Sequence, residues 1–234
     1  MTLDCFVALL LAMTGYFMNN YYNNGPQKKM FLDIETLPAP EHVHEALMEI
    51  HEYRKKKKRK NGEKYTKSFE QFLAETGLDG TFGRIFCISY AINDDMIHCI
   101  CDEDEKKMME NFWEAASDVD LFVGFNIMDF DLKYIIQRSI IHGVKPKTKV
   151  RLSFARYRSE PIYDAMHEWN QWGYGKNVSL DSLARALGLG SSKKNMDGSE
   201  VFTYYKKGKY KEICAYCNAD VEVTRKIYKK MNFE

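Results

Sequence analysis

Residues 30–36 read Met-Phe-Leu-Asp-Ile-Glu-Thr, an apolar run interrupted by two acids spaced two positions apart. In a β-strand alternate residues share one face. Met30, Leu32 and Ile34 then point one way, and Phe31, Asp33 and Glu35 the other. Two carboxylates on one face of a strand this apolar need compensation, because an unpaired buried charge is very costly. An edge strand with its acids in water would supply that compensation, and so would a cation held between them. The pattern alone leaves both open.

The bulk of the chain fits one sizeable α/β domain of 234 residues. Its 34 Lys plus Arg against 33 Asp plus Glu give no net-charge argument for or against a nucleic-acid partner. The 15 Tyr and 14 Phe imply a packed core rather than disorder. Cysteines at 5, 87, 99, 101, 214 and 217 are scattered through apparent strands and helices, which suggests reduced thiols and a cytoplasmic setting. The C-x-x-C of Cys214 and Cys217 falls inside a helical pattern, and the C-x-C of Cys99 and Cys101 is distant in sequence, so no zinc site is expected. Residues 5–13, CFVALLLAM, resemble a signal-peptide core, but no basic n-region precedes them and no A-x-A site follows. The run is also shorter than the roughly 20 residues of a membrane span. Residues 1–28 therefore read as a poorly structured extension, with a weak membrane anchor as the alternative, and no stable membrane partner is expected.

Along the rest of the chain, a strand at 29–36 ends before Pro38 and Pro40, which cannot continue a ladder. A helix is predicted over 41–53, followed by seven consecutive basic residues at 54–60 that read either as a solvated loop or helix end, or as a phosphate contact. Residues 84–92 and 96–101 read as paired strands joined by an Asn93-Asp94-Asp95 turn. A helix at 103–117, a strand at 120–125 and a helix at 129–142 come next. Ser179 is the expected N-cap of LDSLARAL, and Gly188 its terminator. A final helix covers 209–231. Strands followed by returning helices give a mixed α/β sheet.

That last helix carries a second anomaly. Its apolar stripe runs Ile213, Tyr216, Cys217, Thr224, Ile227, Tyr228 and Met231, the spacing of a core-facing helix. Asp220 falls on the stripe, four residues from Tyr216 and Thr224, whereas a solvated acid belongs with Glu222 and Lys226 on the other face. Asp131 in GFNIMDFDLKYII is ambiguous by itself, since a first-turn acid is favoured by the helix dipole. Asp129 has the same explanation at the expected cap, Asn126 reads as an ordinary turn residue, and Asp164 in PIYDA as either a strand-end turn or a further acid near the pocket.

Taken in order, D-x-E (Asp33, Glu35), N-x-x-x-F-D (Asn126 to Asp131) and Y-x-x-x-D (Tyr216 to Asp220) resemble the DEDDy branch of the 3′–5′ exonucleases. The likeness is to the proofreading domain of family B DNA polymerases and its stand-alone relatives. It covers roughly 29–231, and MDGSEV (196–201) and TFGRIFCISYAI (81–92) also look like the stand-alone group. The resemblance implies a ribonuclease H-like mixed sheet flanked by helices, a single domain over 29–234. It further implies two divalent cations, Mg²⁺ or Mn²⁺, held by Asp33, Glu35, Asp131 and Asp220, with Tyr216 orienting the attacking water. Substrate contacts are implied at Thr36, Leu37, Asn126 and Phe130. The implied activity removes nucleoside monophosphates from single-stranded DNA or frayed 3′ ends. The alternatives are an exoribonuclease of the same superfamily or a catalytically silent nucleic-acid-binding module. A proofreading role would call for a separate polymerase or repair partner. Trp169, Trp172 and Tyr174 in HEWNQWGYG (167–175) are candidates for base stacking or for packing on their own domain. The lysines of YYKKGKYK (204–211) are candidates for phosphate contact or a solvated turn.

Overall fold

Five strands, β1 (Lys29–Leu37), β2 (Arg84–Ile92), β3 (His98–Ile100), β4 (Leu121–Gly124) and β5 (Ile162–Asp164), form one sheet in the order β3-β2-β1-β4-β5. β2 runs antiparallel to both β1 and β3, while β1, β4 and β5 are mutually parallel. β1 is thus the central strand, and an edge strand cannot account for its acids. The computed structural model describes residues 26–173, 177–190 and 196–234. Apart from residues 26–28, the expected N-terminal extension lies outside them, as do Tyr174 and Gly175. No helix among the described residues is long and apolar enough to cross a membrane.

The alternation expected for β1 is what the packing shows. Met30, Leu32 and Ile34 join the core formed with α3 (Glu105–Ala115) and α4 (Asp131–Ile141), among them Met109, Phe112, Trp113, Leu132 and Ile135. Phe31 lies on the opposite face with Val221, Ile227 and Tyr228 of α8 (Tyr210–Met231), and Leu37 meets Ile213 and Cys217 of the same helix. A central strand buried on both faces accounts for the near-continuous apolar sequence.

Several predicted elements keep their place with shorter bounds. The helix expected over 129–142 begins at Asp131 with Phe130 as its N-cap, so Asp129 is not the cap residue. The strand expected over 96–101 is three residues long. The helix expected over 103–117 is α3, capped by Asp104, whose side chain accepts the Lys106 and Lys107 N–H groups. Ser179 caps α6 (Leu180–Ala186) as expected, and Gly188 ends it at φ +73° with the paired Leu189–Ala184 and Gly188–Arg185 bonds of a left-handed terminus. The basic run is the helix end among its readings and not a loop: α1 (His44–Lys60) extends past the expected 41–53 through it, and Lys57 to Lys60 occupy its last turn, where cations offset the helix dipole. Beyond it, Ser68 and Gln71 form a capping box on a short α2 (Phe69–Glu75), which the sequence pattern did not flag.

On the α3/α4 side, the sheet is anchored by a buried ion pair. Glu105 accepts two hydrogen bonds from Arg138, at 2.9 and 2.7 Å, and a third from the Ile85 N–H of β2 at 2.8 Å. Both partners are buried, and removing one leaves an uncompensated charge. Arg138→Met should therefore lower stability by about 3 kcal/mol, read as a fall in the urea midpoint at unchanged m-value. Unchanged stability would mean that Glu105 is satisfied without Arg138.

Candidate active site

β1 pairs with β4 only over Lys29–Phe31, against Leu121–Val123. Past that point the two parallel strands part, and the carboxylates collect in the gap. The Ile34 N–H is no longer taken by a neighbouring strand and donates to Asp131 Oδ1 at 3.1 Å. This bond ties the first residue of α4 to the middle of β1. On the β2 side, the ladder shifts by one residue between Glu35 and Thr36, skipping Phe86, where a bulge kinks the paired strands at the site.

Asp33 and Glu35 point towards α8, which lies across this face. Cys217 of α8 reaches Asp33, with Sγ 3.3 Å from Oδ2 and 3.4 Å from the main-chain oxygen. One ligand atom from each of Asp33, Glu35 and Cys217 lies within 4.8 Å of the others. Asp220 is buried one turn further along α8. It raises the proton affinity of Asp33, Glu35, Asp131 and Tyr216, which places its charge among theirs. Asp33, Glu35, Asp131 and Asp220 are thus brought together from three elements. Glu35, Asp131 and Asp220 are buried and Asp33 is partly accessible.

No Lys, Arg or His lies within ion-pair distance of Asp33, Glu35 or Asp131 among the described residues. Burial pushes the Asp33 and Glu35 carboxyls well above the usual range, and Cys217 and the neighbouring acids push the same way. Asp131 is raised to about 7 by burial, against the stabilising bonds from the Ile34 and Asp131 N–H groups. Burial, and then the charges of Asp220, Glu35 and Asp33, raise the Tyr216 hydroxyl, which stays protonated and able to donate. The 3₁₀ turn Gly198–Glu200 runs beside it, and a Cβ on Gly198 would lie 3.9 Å from the hydroxyl oxygen.

The other expected site residues divide. Thr36 is partly buried, and its hydroxyl donates to Gly77 O at 2.6 Å. Leu37 is 1 % exposed and its side chain is core, leaving none of its surface for a substrate. Asn126 follows β4 in the left-handed region at φ 63°, and Phe130 is half-buried against Tyr134 at the start of α4. Asp129 is mostly exposed and pairs with His167 Nε2 at 2.9 Å, outside the carboxylate cluster. Asp164 is the strand-end residue: it caps α5 (Ala165–Trp169) and accepts the Asn126 and Met128 N–H groups, fixing the loop that delivers Asp131. Trp172 stacks on His167 at 4.9 Å, the intramolecular packing that was one of its two readings, whereas Trp169 is exposed. The 204–211 stretch forms the turn between α7 (Val201–Lys206) and α8, with Tyr205 stacked on Tyr210 and Gly208 at φ +69°.

Sequence reasoning missed Cys217 as a neighbour of Asp33. Its place three residues before Asp220 on the same stripe was the available signal. It also missed the part Asp164 takes in shaping the loop, for which only a preference of Asp for strand ends and caps was legible.

A family described as "Predicted 3'-5' exonuclease related to the exonuclease domain of PolB" matches residues 80–233, well over half the chain. The chain belongs to this family. The match takes in α4 and α8 with Asp131, Tyr216 and Asp220, and β1 with Asp33 and Glu35 precedes it. Among solved structures, the family B DNA polymerase from the hyperthermophilic archaeon Pyrobaculum calidifontis superposes with a TM-score of 0.59 at 15 % identity, over 89 % of this chain and 25 % of that one. The chain thus spans about a quarter of that polymerase, and at this identity the likeness establishes the fold, a ribonuclease H-like mixed sheet flanked by helices. No curated protein matches. In this chain Asp33 and Glu35 lie just past the point where the pairing of β1 with β4 ends, and Asp131 and Asp220 reach them from α4 and α8.

The raised carboxyls predict a pH dependence for the metal-free protein. A folded Asp131 that titrates at about 7 binds protons more tightly than the unfolded chain. Its contribution is stabilising below about pH 4 and is lost as pH rises through 7, and Asp33 and Glu35 act in the same direction. Chelator-treated protein should melt lower at pH 8 than at pH 5.5, and Mn²⁺ should restore more of the loss at pH 8. A melting temperature that rises over this interval without metal would contradict the clustering of the acids.

Proposed function

We propose that the chain is a metal-dependent 3′–5′ exonuclease that removes nucleoside monophosphates from single-stranded DNA or frayed 3′ ends. The observation that carries this reading is the convergence of Asp33, Glu35, Asp131 and Asp220 in a largely buried site, with three of the four lacking any nearby cationic side chain among the described residues. Such a set is stable in ionised form only with cations, and hard oxygen donors favour Mg²⁺ or Mn²⁺. Asp33, Glu35 and Asp220 would hold one ion, and Asp33 with Asp131 a second. Bound there, the ions would supply charge neutralisation on the phosphodiester and a more acidic attacking water.

The chain's own residues then have separate tasks. Asp33 is shared between the two positions because it sits between α4 and α8 on the central strand. Asp131 is aimed by its bond to the Ile34 N–H. Tyr216, protonated, is placed by α8 one turn from Asp220 to hold the attacking water by its hydroxyl. Asn126 and Phe130, at the mouth formed by the β4–α4 loop, are the candidate contacts for the 3′-terminal nucleotide. Thr36, partly accessible two residues from Ile34, is a further candidate contact. The proposal includes an intracellular, cytoplasmic setting, consistent with free thiols, and a separate polymerase or repair partner if the activity serves proofreading.

The test is cleavage of 3′- and 5′-labelled DNA and RNA with Mg²⁺, Mn²⁺ or chelator. Release of labelled mononucleotide from the 3′-labelled strand at once, with progressive shortening of the 5′-labelled one, is expected with either metal and not with chelator. Preference for RNA would move the substrate to the ribonucleotide class, and no cleavage of either would leave a binding module. Asp33→Ala and Asp220→Asn should be nearly inactive with the fold intact by circular dichroism, whereas Asp129→Ala should stay active because it pairs with His167 outside the cluster.

Tyr216→Phe separates positioning from ligation. It should lose about 10²-fold in kcat, the usual scale of a misplaced reactant, with Mn²⁺ affinity largely unchanged. Wild-type turnover in Tyr216→Phe would reduce this side chain to packing.

A further inference from the structure

Three cysteines distant in sequence meet on the far side of α8 from β4. Cys87 of β2, Cys99 of β3 and Cys214 of α8 have their Sγ atoms within 4.8 Å of one another. The strand register explains the convergence. Ser89 pairs with Cys99, and the Ser89 hydroxyl bonds to Asn218 of α8 at 2.7 Å, so this face of the β2–β3 hairpin looks at α8. Cys87 is two residues from Ser89 and Cys101 two from Cys99, so both belong to the same face. One step past the last ladder pair, Ile88–Ile100, the register sets Cys101 opposite Cys87. Cys214 completes the group from α8, its Sγ within 4.8 Å of those of Cys87 and Cys99 and with Cys101 among its electrostatic neighbours.

We propose that Cys87, Cys99 and Cys214, with Cys101 as the fourth donor, form a thiolate site for a zinc-class cation, beside the carboxylate cluster. Sulfur donors select Zn²⁺ over Mg²⁺ or Mn²⁺. Zn–S bonds of about 2.3 Å in a tetrahedron put ligand sulfurs about 3.8 Å apart, compatible with three sulfurs that all lie within 4.8 Å of one another. A disulfide would need about 2.0 Å between two of them and would strand the third. Binding would release the thiol protons to solvent.

The consequence is structural. At its other end α8 is already tied to the hairpin turn, where Arg225 donates to the Asn93 and Asp95 carbonyls at 3.2 and 2.8 Å. A metal at Cys87, Cys99, Cys101 and Cys214 would fasten the first turns of α8 to the same hairpin. Tyr216 and Asp220 lie between the two fastenings, so their position over Asp33 and Glu35 would be held from both ends.

Cobalt provides the test, because sulfur–cobalt charge-transfer bands report thiolate ligation and tetrahedral d–d bands report geometry. The full chain, purified in reductant, would be titrated with Co²⁺ in excess Mg²⁺, and its native zinc measured per chain. One equivalent with both sets of bands is expected, and a lower melting temperature after metal removal. Cys99→Ser and Cys214→Ser should lose the bands while retaining the circular dichroism of the fold, and Cys101→Ser should weaken binding. Cys217→Ala and Asp33→Ala, which alter the carboxylate cluster, should leave the bands unchanged. Bands that vanish in Cys217→Ala and survive in Cys99→Ser would place the ion among the acids and overturn the proposal. So would the absence of thiolate bands in the reduced full chain, or recovery of a Cys99–Cys214 disulfide with no bound metal.

Discussion

Mutual repulsion among buried carboxylates is the constraint around which this molecule is arranged. Asp33 and Glu35 occupy the centre of the sheet, where an uncompensated charge is most expensive, and Asp131 and Asp220 are brought to them from opposite directions. In the absence of ions the cluster answers by holding protons, as the upward shifts of Asp33, Glu35 and Asp131 record. The rest of the fold can tolerate this local cost because the core beneath β1 and the layer under α8 are both well filled. Functional sites commonly carry such strain within an otherwise consistent structure.

Two kinds of fastening hold the acids in place against that repulsion. One is main-chain to side-chain: Ile34 to Asp131, and the Asn126 and Met128 N–H groups to Asp164, which together shape the β4–α4 passage. These bonds use backbone groups left over where β1 and β4 diverge, so the opening of the sheet creates both the site and the means of lining it. The other is the docking of α8, a helix long enough to cross β1 and β2 and to carry Tyr216, Cys217 and Asp220 on one stripe. The hairpin β2–β3 receives that helix, through Arg225 at its turn and the cysteine group near its open end.

Much of this was legible in the residues. The alternation in MFLDIET gave the two faces of β1, and the stripe on 209–231 marked Asp220 as inward-facing, because periodicity translates directly into direction. The family resemblance, resting on three ordered motifs, agrees with the family match and with the sheet topology. Less legible were features that depend on partners far away in the chain. Leu37 beside the motif is core, Asp129 beside Asp131 belongs to His167, and Trp172 packs inward, each decided by what arrives from another element. The short β5 and α5 gave weak signals because neither is long enough to show a period.

By itself the sequence determined which residues share a face, where helices are capped, and that an acid stands on an apolar stripe, since these follow from the local geometry of strand and helix. Tertiary structure alone decided that β1 is central rather than at an edge, and so that its acids lie against each other rather than in water. It also decided that Cys87, Cys99 and Cys214, which are 12 to 127 residues apart along the chain, come within 4.8 Å of one another. Spacing in sequence had argued against a thiolate site there. The strand register and the crossing of α8 bring its parts together, and neither is written in any one segment.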